Sequence, residues 1–264
     1  MKNILLILIT AFLFSACSKV AITGRRQLNI IPDQQIMAMS FQQYDDFLSK
    51  AKLSKDKAKV DLVKKVGKKI QASVEAFFKE KGLSSELRNY DWEFNVVESK
   101  EVNAWCMPGG KVVVYTGILP VTQDETGLAV VMGHEIAHAV AEHGNERMSQ
   151  GLIAQYGGMA LGKLIENEPE ASQQLYMSAF GLGAQYGVLL PFSRKHESEA
   201  DHMGLIFMAM AGYNPEAAVS FWQRMAEMSG GQAPPEFLST HPSNETRIND
   251  IKKHLPEAKK YYKK

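Results

Sequence analysis

The stretch Gly133-His134-Glu135-Ile136-Ala137-His138 restricts this chain more than any other feature of its 264 residues. Val130, Val131, Ile136, Ala137, Ala139 and Val140 surround it with apolar side chains, which predicts a helix buried on nearly all sides. On such a helix His134 and His138, four residues apart, sit about 40° apart around the axis and face the same way. Two buried imidazoles and a buried carboxylate need partners. One metal ion satisfies both histidines at once, and this is the His-Glu-x-x-His spacing of zinc sites. Glu135, one position beyond His134, projects beside the ion, where it can take a proton from an attacking water. The bland alternative is a pair of core histidines held by ordinary hydrogen bonds. It has to find polar partners on a helix whose neighbours are nearly all apolar.

A zinc site that performs chemistry keeps three protein ligands and one open position. His143 lies five residues beyond His138, on a different face, and is expected to be structural or to support a ligand. The better third donor is Glu197, within Ser193-Arg194-Lys195-His196-Glu197-Ser198-Glu199-Ala200-Asp201. Glu197 and Asp201 are four apart and share a face, so Asp201 can orient a ligand histidine through its free ring nitrogen. Glu199 falls on another face and is set aside. The expected centre is one Zn2+ per chain on His134, His138 and Glu197, with Glu135 as general base.

Around this centre the chain reads as α+β, mainly α-helical with a small β-sheet. Pro32 and Asp33 open a helix carrying Ile36, Met39, Tyr44, Phe47 and Leu48, and a second helix turns Val60, Val63, Val66, Ile70, Val74 and Phe77 inward. Trp92, Phe94 and Val96 alternate as a strand does, and Val102 to Met107 and Val112 to Thr116 form a hairpin turning at Pro108-Gly109-Gly110. Thr122 and Glu125 have the spacing of a capping box for the His-Glu-x-x-His helix, which should run to about Glu142 and stop near Gly144. Leu175 to Phe192 is apolar, but Ser178, Gln185 and its glycines favour a buried or mobile helix over a membrane span. Ser193 is expected to cap the next helix, and Asn214-Pro215 another.

Hydrophobic residues make up 45% of the chain and charged residues 22%, and the net charge is +1. That balance supports a globular core and offers no field to hold nucleic acid, so recognition must come from a shaped site. The start of the chain differs. Lys2, the apolar run Ile4 to Phe14 and the small residues Ser15 and Ala16 read as a signal peptide over 1–16. Cys17 directly after them has the form of a lipidation site, against the blander reading of an ordinary signal peptide with an incidental Cys; lipidation predicts a lipid-anchored, periplasm-facing protein of the bacterial envelope, with Ser18 pointing to the outer membrane rather than the inner. Residues 17–30 would then be a tether and 31–264 the zinc-binding domain. The remaining cysteine, Cys106 beside Trp105, reads as a small buried hydrophobe.

Four segments together resemble a known family. Asn103-Ala104 through Pro108-Gly109-Gly110 and Tyr115-Thr116-Gly117, then His134 to His138, Glu197 to Asp201, and Thr240-His241-Pro242 with Arg247-Ile248 occur in its order. The chain is similar to the zinc peptidases that include CAAX prenyl proteases, the heat-shock protease HtpX and periplasmic assembly-enhancing proteases. The resemblance implies a zincin-type metallopeptidase of the gluzincin kind, with Glu197 as third ligand and Asp201 behind it. It also implies that His241 lies near the zinc, either steadying the oxyanion or capping the metal at rest, with Arg247 in support. Peptide-bond hydrolysis without a covalent intermediate is the expected reaction. An extended peptide would add to the sheet beside Asn103, Ala104, Val113 and Tyr115, so unfolded or misassembled polypeptides are the expected partners. Two rivals stand beside this reading: a metal-stabilised, chaperone-like assembly factor with latent protease activity, and an aminopeptidase, for which no acidic motif to hold a free amine is evident.

Overall fold

The computed structural model describes residues 17–185, 189–228, 241 and 245–263. The signal peptide expected over 1–16 lies outside the described residues, as do Thr240 and Pro242. In chain order the elements are strands β1 (Cys17–Lys19) and β2 (Arg26–Leu28), helices α1 (Asp33–Lys50) and α2 (Lys57–Glu80), and strands β3 (Glu93–Val97), β4 (Ala104–Met107) and β5 (Lys111–Tyr115). Helices follow: α3 (Leu119–Thr122), α4 (Glu125–Val140), α5 (His143–Leu164), α6 (Glu170–Ala184), α7 (Leu190–Met210), α8 (Ala217–Glu227) and α9 (Glu245–Tyr261). The mainly helical α+β class expected from the sequence is what the chain adopts. The described residues group into two compact units, 17–33 with 142–196 and 34–141 with 197–263.

In the larger unit, β3 pairs parallel to β5 and β4 pairs antiparallel to it, so the sheet order is β3-β5-β4. The hairpin between β4 and β5 turns at Pro108 and Gly109, whose φ of 85° is the left-handed position that a type II turn requires after proline. Successive side chains point to opposite faces. Val97 and Val113 cluster with Tyr44 of α1, and Trp105, Met107 and Tyr115 pack against them. On the other face Phe94 rests on Gly67 of α2, where an added Cβ would lie 2.4 Å from the ring. β4 lies against α4. Asp56 caps α2 by accepting from Ala58 and Lys59 N–H, and Val63, Val66, Ile70, Val74 and Phe77 of that helix are buried as their period predicts.

Three local expectations about helix ends need correction. The cap of α4 is Asp124, whose side chain accepts from Gly127 N–H at 2.8 Å, while Thr122 Oγ1 donates to Leu119 C=O at 2.9 Å and forms no capping box. α4 ends at Val140, and the chain turns at Glu142, with φ 56°, before α5 begins at His143. Gly144, the expected stop, lies inside α5. Ser193 caps nothing, because α7 already begins at Leu190.

The smaller unit replaces the expected tether with a folded β-ribbon: Cys17, Ser18 and Lys19 pair with Leu28, Gln27 and Arg26. Its turn closes with Val20 N–H bonded to Arg25 C=O at 2.9 Å, and Val20 is buried. Arg25 donates to both oxygens of Glu146 at 2.9 and 2.7 Å, and His196 Nε2 lies 2.8 Å from the same carboxylate. Burial alone would raise the Glu146 carboxyl, but these hydrogen bonds outweigh it and hold the group at about 2. Where a buried or mobile helix was expected over Leu175 to Phe192, α6 (ending at Ala184) buries none of its residues. Among the described residues no helix is long and apolar enough to cross a membrane.

Candidate metal centre

α4 brings His134, Glu135 and His138 to the centre of the larger unit, and Gly204 lets α7 cross closely over it. A Cβ on Gly204 would stand 2.9 Å from the backbone nitrogen of His134. That approach lays Glu197 and Asp201, four apart on α7, over the two histidines. His138 Nε2 lies 3.1 Å from His134 Nε2 and 3.2 Å from Glu197 Oε1. Glu197 Oε2 lies 3.4 Å from His134 Nε2. His241 Nδ1 completes the group, 2.9 Å from Glu197 Oε2 and 3.1 Å from His134 Nε2.

These residues fit a zinc ion. Donors held about 2.0–2.1 Å from a tetrahedral zinc stand about 3.3–3.4 Å from one another, close to the spacing found here. Asp201 Oδ1 lies 2.9 Å from His134 Nδ1, so that nitrogen carries the proton and Nε2 keeps its lone pair for the centre. Glu135, Glu197 and Asp201 set three carboxylates against the one guanidinium of Arg247, an excess of negative charge that a divalent cation offsets. Glu135 Oε1 is buried and accepts no hydrogen bond. His241 Nε2 lies 3.4 Å from it. Burial pushes the Glu135 carboxyl up to about 7, against the pull of His241. Burial would also raise Glu197, but the imidazole of His138 and the hydrogen bonds from His134, His138 and His241 hold it far below the usual carboxylate range.

Arg247 braces the ligands from α9. Its Nε donates to Asp201 Oδ2 and its Nη2 to Asp201 Oδ1, both at 2.8 Å, and its Nη1 lies 3.2 Å from Glu197 Oε2. The support expected from Arg247 for His241 therefore runs through Glu197, which both touch. Trp222 beneath the guanidinium was not foreseen, because a tryptophan in the apolar period of α8 reads as ordinary core. His143 stacks on His196 with centroids 4.3 Å apart in the smaller unit and takes no part in the cluster.

The proposed peptide-binding strand needs correction. β5 is paired on both sides and cannot accept another strand; Val113 is fully buried towards α1, and Tyr115 packs on that same cluster. Of the two edges, β3 is partly covered by the backbone of residues 52–54, bridged at Leu53 to Val97, and β4 is the edge left for another strand among the described residues. Tyr115 N–H donates to Asn103 C=O at 3.1 Å, so by alternation residues 103, 105 and 107 bond to β5 and 104 and 106 face away from it. Asn103 Oδ1 already accepts from Ala104 N–H at 2.9 Å, which leaves Ala104 C=O and the Cys106 backbone on that edge. The Cys106 thiol is pushed well above its ordinary range, first by burial and then by the charge of Glu135, so it is no nucleophile.

A family profile described as Peptidase family M48 matches residues 64–255. The mitochondrial metalloendopeptidase OMA1 of Schizosaccharomyces pombe is 43% identical over 177 residues, covering 66% of this chain and 50% of that protein. Its counterpart in Homo sapiens is 31% identical over 262 residues, covering 96% of this chain and 49% of that protein. The beta-barrel assembly-enhancing protease of Yersinia pestis is 31% identical over 174 residues, 64% of this chain and 35% of that protein. The chain thus spans about half the length of the first two relatives, or less in the third. The family bears out the expected zinc and the metallopeptidase class. The expected lipid-anchored, periplasm-facing location does not stand, because the metalloendopeptidases matched in yeast and human are mitochondrial proteins.

Proposed function

The chain belongs to peptidase family M48, and on that footing we propose that it is a zinc-dependent endopeptidase of protein quality control, cutting unfolded or misassembled polypeptides. The observation that carries this reading is the buried, unbonded Oε1 of Glu135, 3.4 Å from the His241 ring that joins the donor atoms of His134, His138 and Glu197. A structural metal site has no use for such a carboxylate, whereas hydrolysis needs a proton acceptor there. When bound, zinc polarises the scissile carbonyl and makes water a stronger acid. His134, His138 and Glu197 hold the ion, and Asp201 fixes the His134 ring. Glu135 takes the proton of the attacking water and returns it to the leaving amine. The open edge of β4 aligns an extended chain by backbone hydrogen bonds, which read strand conformation and not sequence. Folded clients, whose backbone is already paired, are poor substrates on this account.

His241 favours a resting form of the same enzyme. Its Nδ1 stands at ligand spacing from His134 and Glu197, where it would hold the ion together with them and keep water from it. Zinc content and casein cleavage, measured on the whole chain and on Glu135→Gln, test the proposal. About one zinc per chain in both with cleavage only in the wild type is the expected result. Equal cleavage by the two proteins removes Glu135 from the mechanism, and no zinc in either removes the site.

A further inference from the structure

A second group of metal-ligating side chains comes together on α7 and α9. His202 Nε2 lies 2.8 Å from Glu257 Oε2. The His202 and His254 rings stack with centroids 4.1 Å apart and planes 15° apart. One ligand atom from each of the three side chains lies within 4.8 Å of the other two. His254 and Glu257 are three apart and so share a face of α9. His202 comes to them from α7, one residue beyond Asp201.

Two imidazoles and one carboxylate make a donor set for Zn2+ and its first-row neighbours, not for Mg2+ or Ca2+, which take oxygen ligands. The stacked rings, with planes 15° apart, do not both aim an in-plane lone pair at one point, so one imidazole has to turn out of the stack for the donors to close to about 3.3 Å around zinc. Glu257 can follow it, since its side chain is 47% exposed. We propose that His202, His254 and Glu257 form a second, accessible divalent transition-metal site of the zinc type that clasps α7 to α9.

The two helices it joins are those that brace the first centre. α7 carries Glu197 and Asp201, and α9 carries Arg247, which contacts both. An ion that binds this arrangement and not the unfolded chain stabilises it by mass action. Three protein donors leave positions for water, and the exposed carboxylate exchanges with solvent. The site therefore binds more weakly than the enclosed centre and fills when zinc is in excess. The alternative is an ion pair and a ring stack that merely pack one helix on the other.

The test uses the whole chain, free of any affinity tag, dialysed to equilibrium against buffered free zinc. Bound metal is counted by mass spectrometry and thermal unfolding is followed in the same samples. As free zinc rises, the wild type takes up one equivalent more than His254→Ala or Glu257→Gln, and excess zinc raises its Tm by several degrees but leaves theirs unmoved. Glu257→Gln keeps the shape of α9 intact should loss of the stacked ring unsettle it. The readout is the difference of one equivalent, so it does not depend on whether the first centre holds its own zinc. Equal uptake by wild type and both variants overturns the site, as does a Tm that zinc shifts equally in all three.

Discussion

Arg247 places its guanidinium carbon 3.4 Å from the centre of the Trp222 ring while donating twice to Asp201. The indole face attracts the cation and excludes water from it, and the planar fork matches the carboxylate edge. Asp201 in turn lies 2.9 Å from His134 Nδ1. Trp222, Arg247, Asp201 and His134 thus form a continuous stack behind the metal, and the outermost member controls how firmly the innermost is aimed.

Asp201→Asn keeps the shape of this stack and removes the charge that holds the His134 tautomer. Zinc affinity should fall about 10–100-fold, the usual range for loss of such a support. Arg247→Lys should do nearly as much although its charge is kept, because an ammonium cannot bond both oxygens in one plane. Competition with a chelator of known affinity measures both. Unchanged affinity in both would mean that the stack only packs α9 against α7.

Replacing His241 by Ala separates its two roles. If His241 closes the fourth position, as its 2.9 Å and 3.1 Å approaches to Glu197 and His134 indicate, the variant binds zinc less tightly but cuts casein several-fold faster once zinc is saturating. A rate that drops about 100-fold at full zinc occupancy would instead assign His241 to the oxyanion.

Acid should loosen the smaller unit through Glu146. Its carboxyl titrates at about 2 in the fold, against an ordinary value of 4.5, so the folded state favours the ionised form. The stabilisation, about 3 kcal/mol by proton linkage, is therefore complete above pH ~4.5 and is lost as pH falls towards ~2. Glu146→Gln should lower Tm near neutral pH and flatten its decline through that window. Parallel Tm curves for the two proteins would show that Arg25 and His196 contribute nothing to stability through this carboxylate.

What was legible in the sequence follows the range of each interaction. His134, Glu135 and His138 could be read because the helical repeat alone puts them together, and the spacing of Glu197 and Asp201 could be read for the same reason. The β4–β5 hairpin announced itself through Pro108-Gly109-Gly110. Its place in the sheet did not, because the parallel pairing of β3 with β5 depends on tertiary packing that no local pattern carries. The same holds for Arg25 with Glu146, separated by 121 residues, and for Trp222 under Arg247. At α4 two caps competed, and Asp124 won over Thr122 because its carboxylate reaches the free Gly127 N–H.

The sheet edge supplies the last test. Of the two β4 residues that face away from β5, Ala104 has its N–H engaged by Asn103 Oδ1, so Cys106→Pro removes the donor left for substrate and leaves the ladder to β5 whole. Cys106→Ser keeps the N–H and changes only the side chain. If an extended substrate pairs with β4, the proline variant should lose about tenfold or more in kcat/KM on unfolded casein, with zinc content and Tm close to wild type, while the serine variant cuts normally. A loss of activity in both would point to the side chain beside Glu135. Normal cleavage by the proline variant would mean that substrate enters without pairing to the sheet, and the preference for unfolded chains would then need another cause.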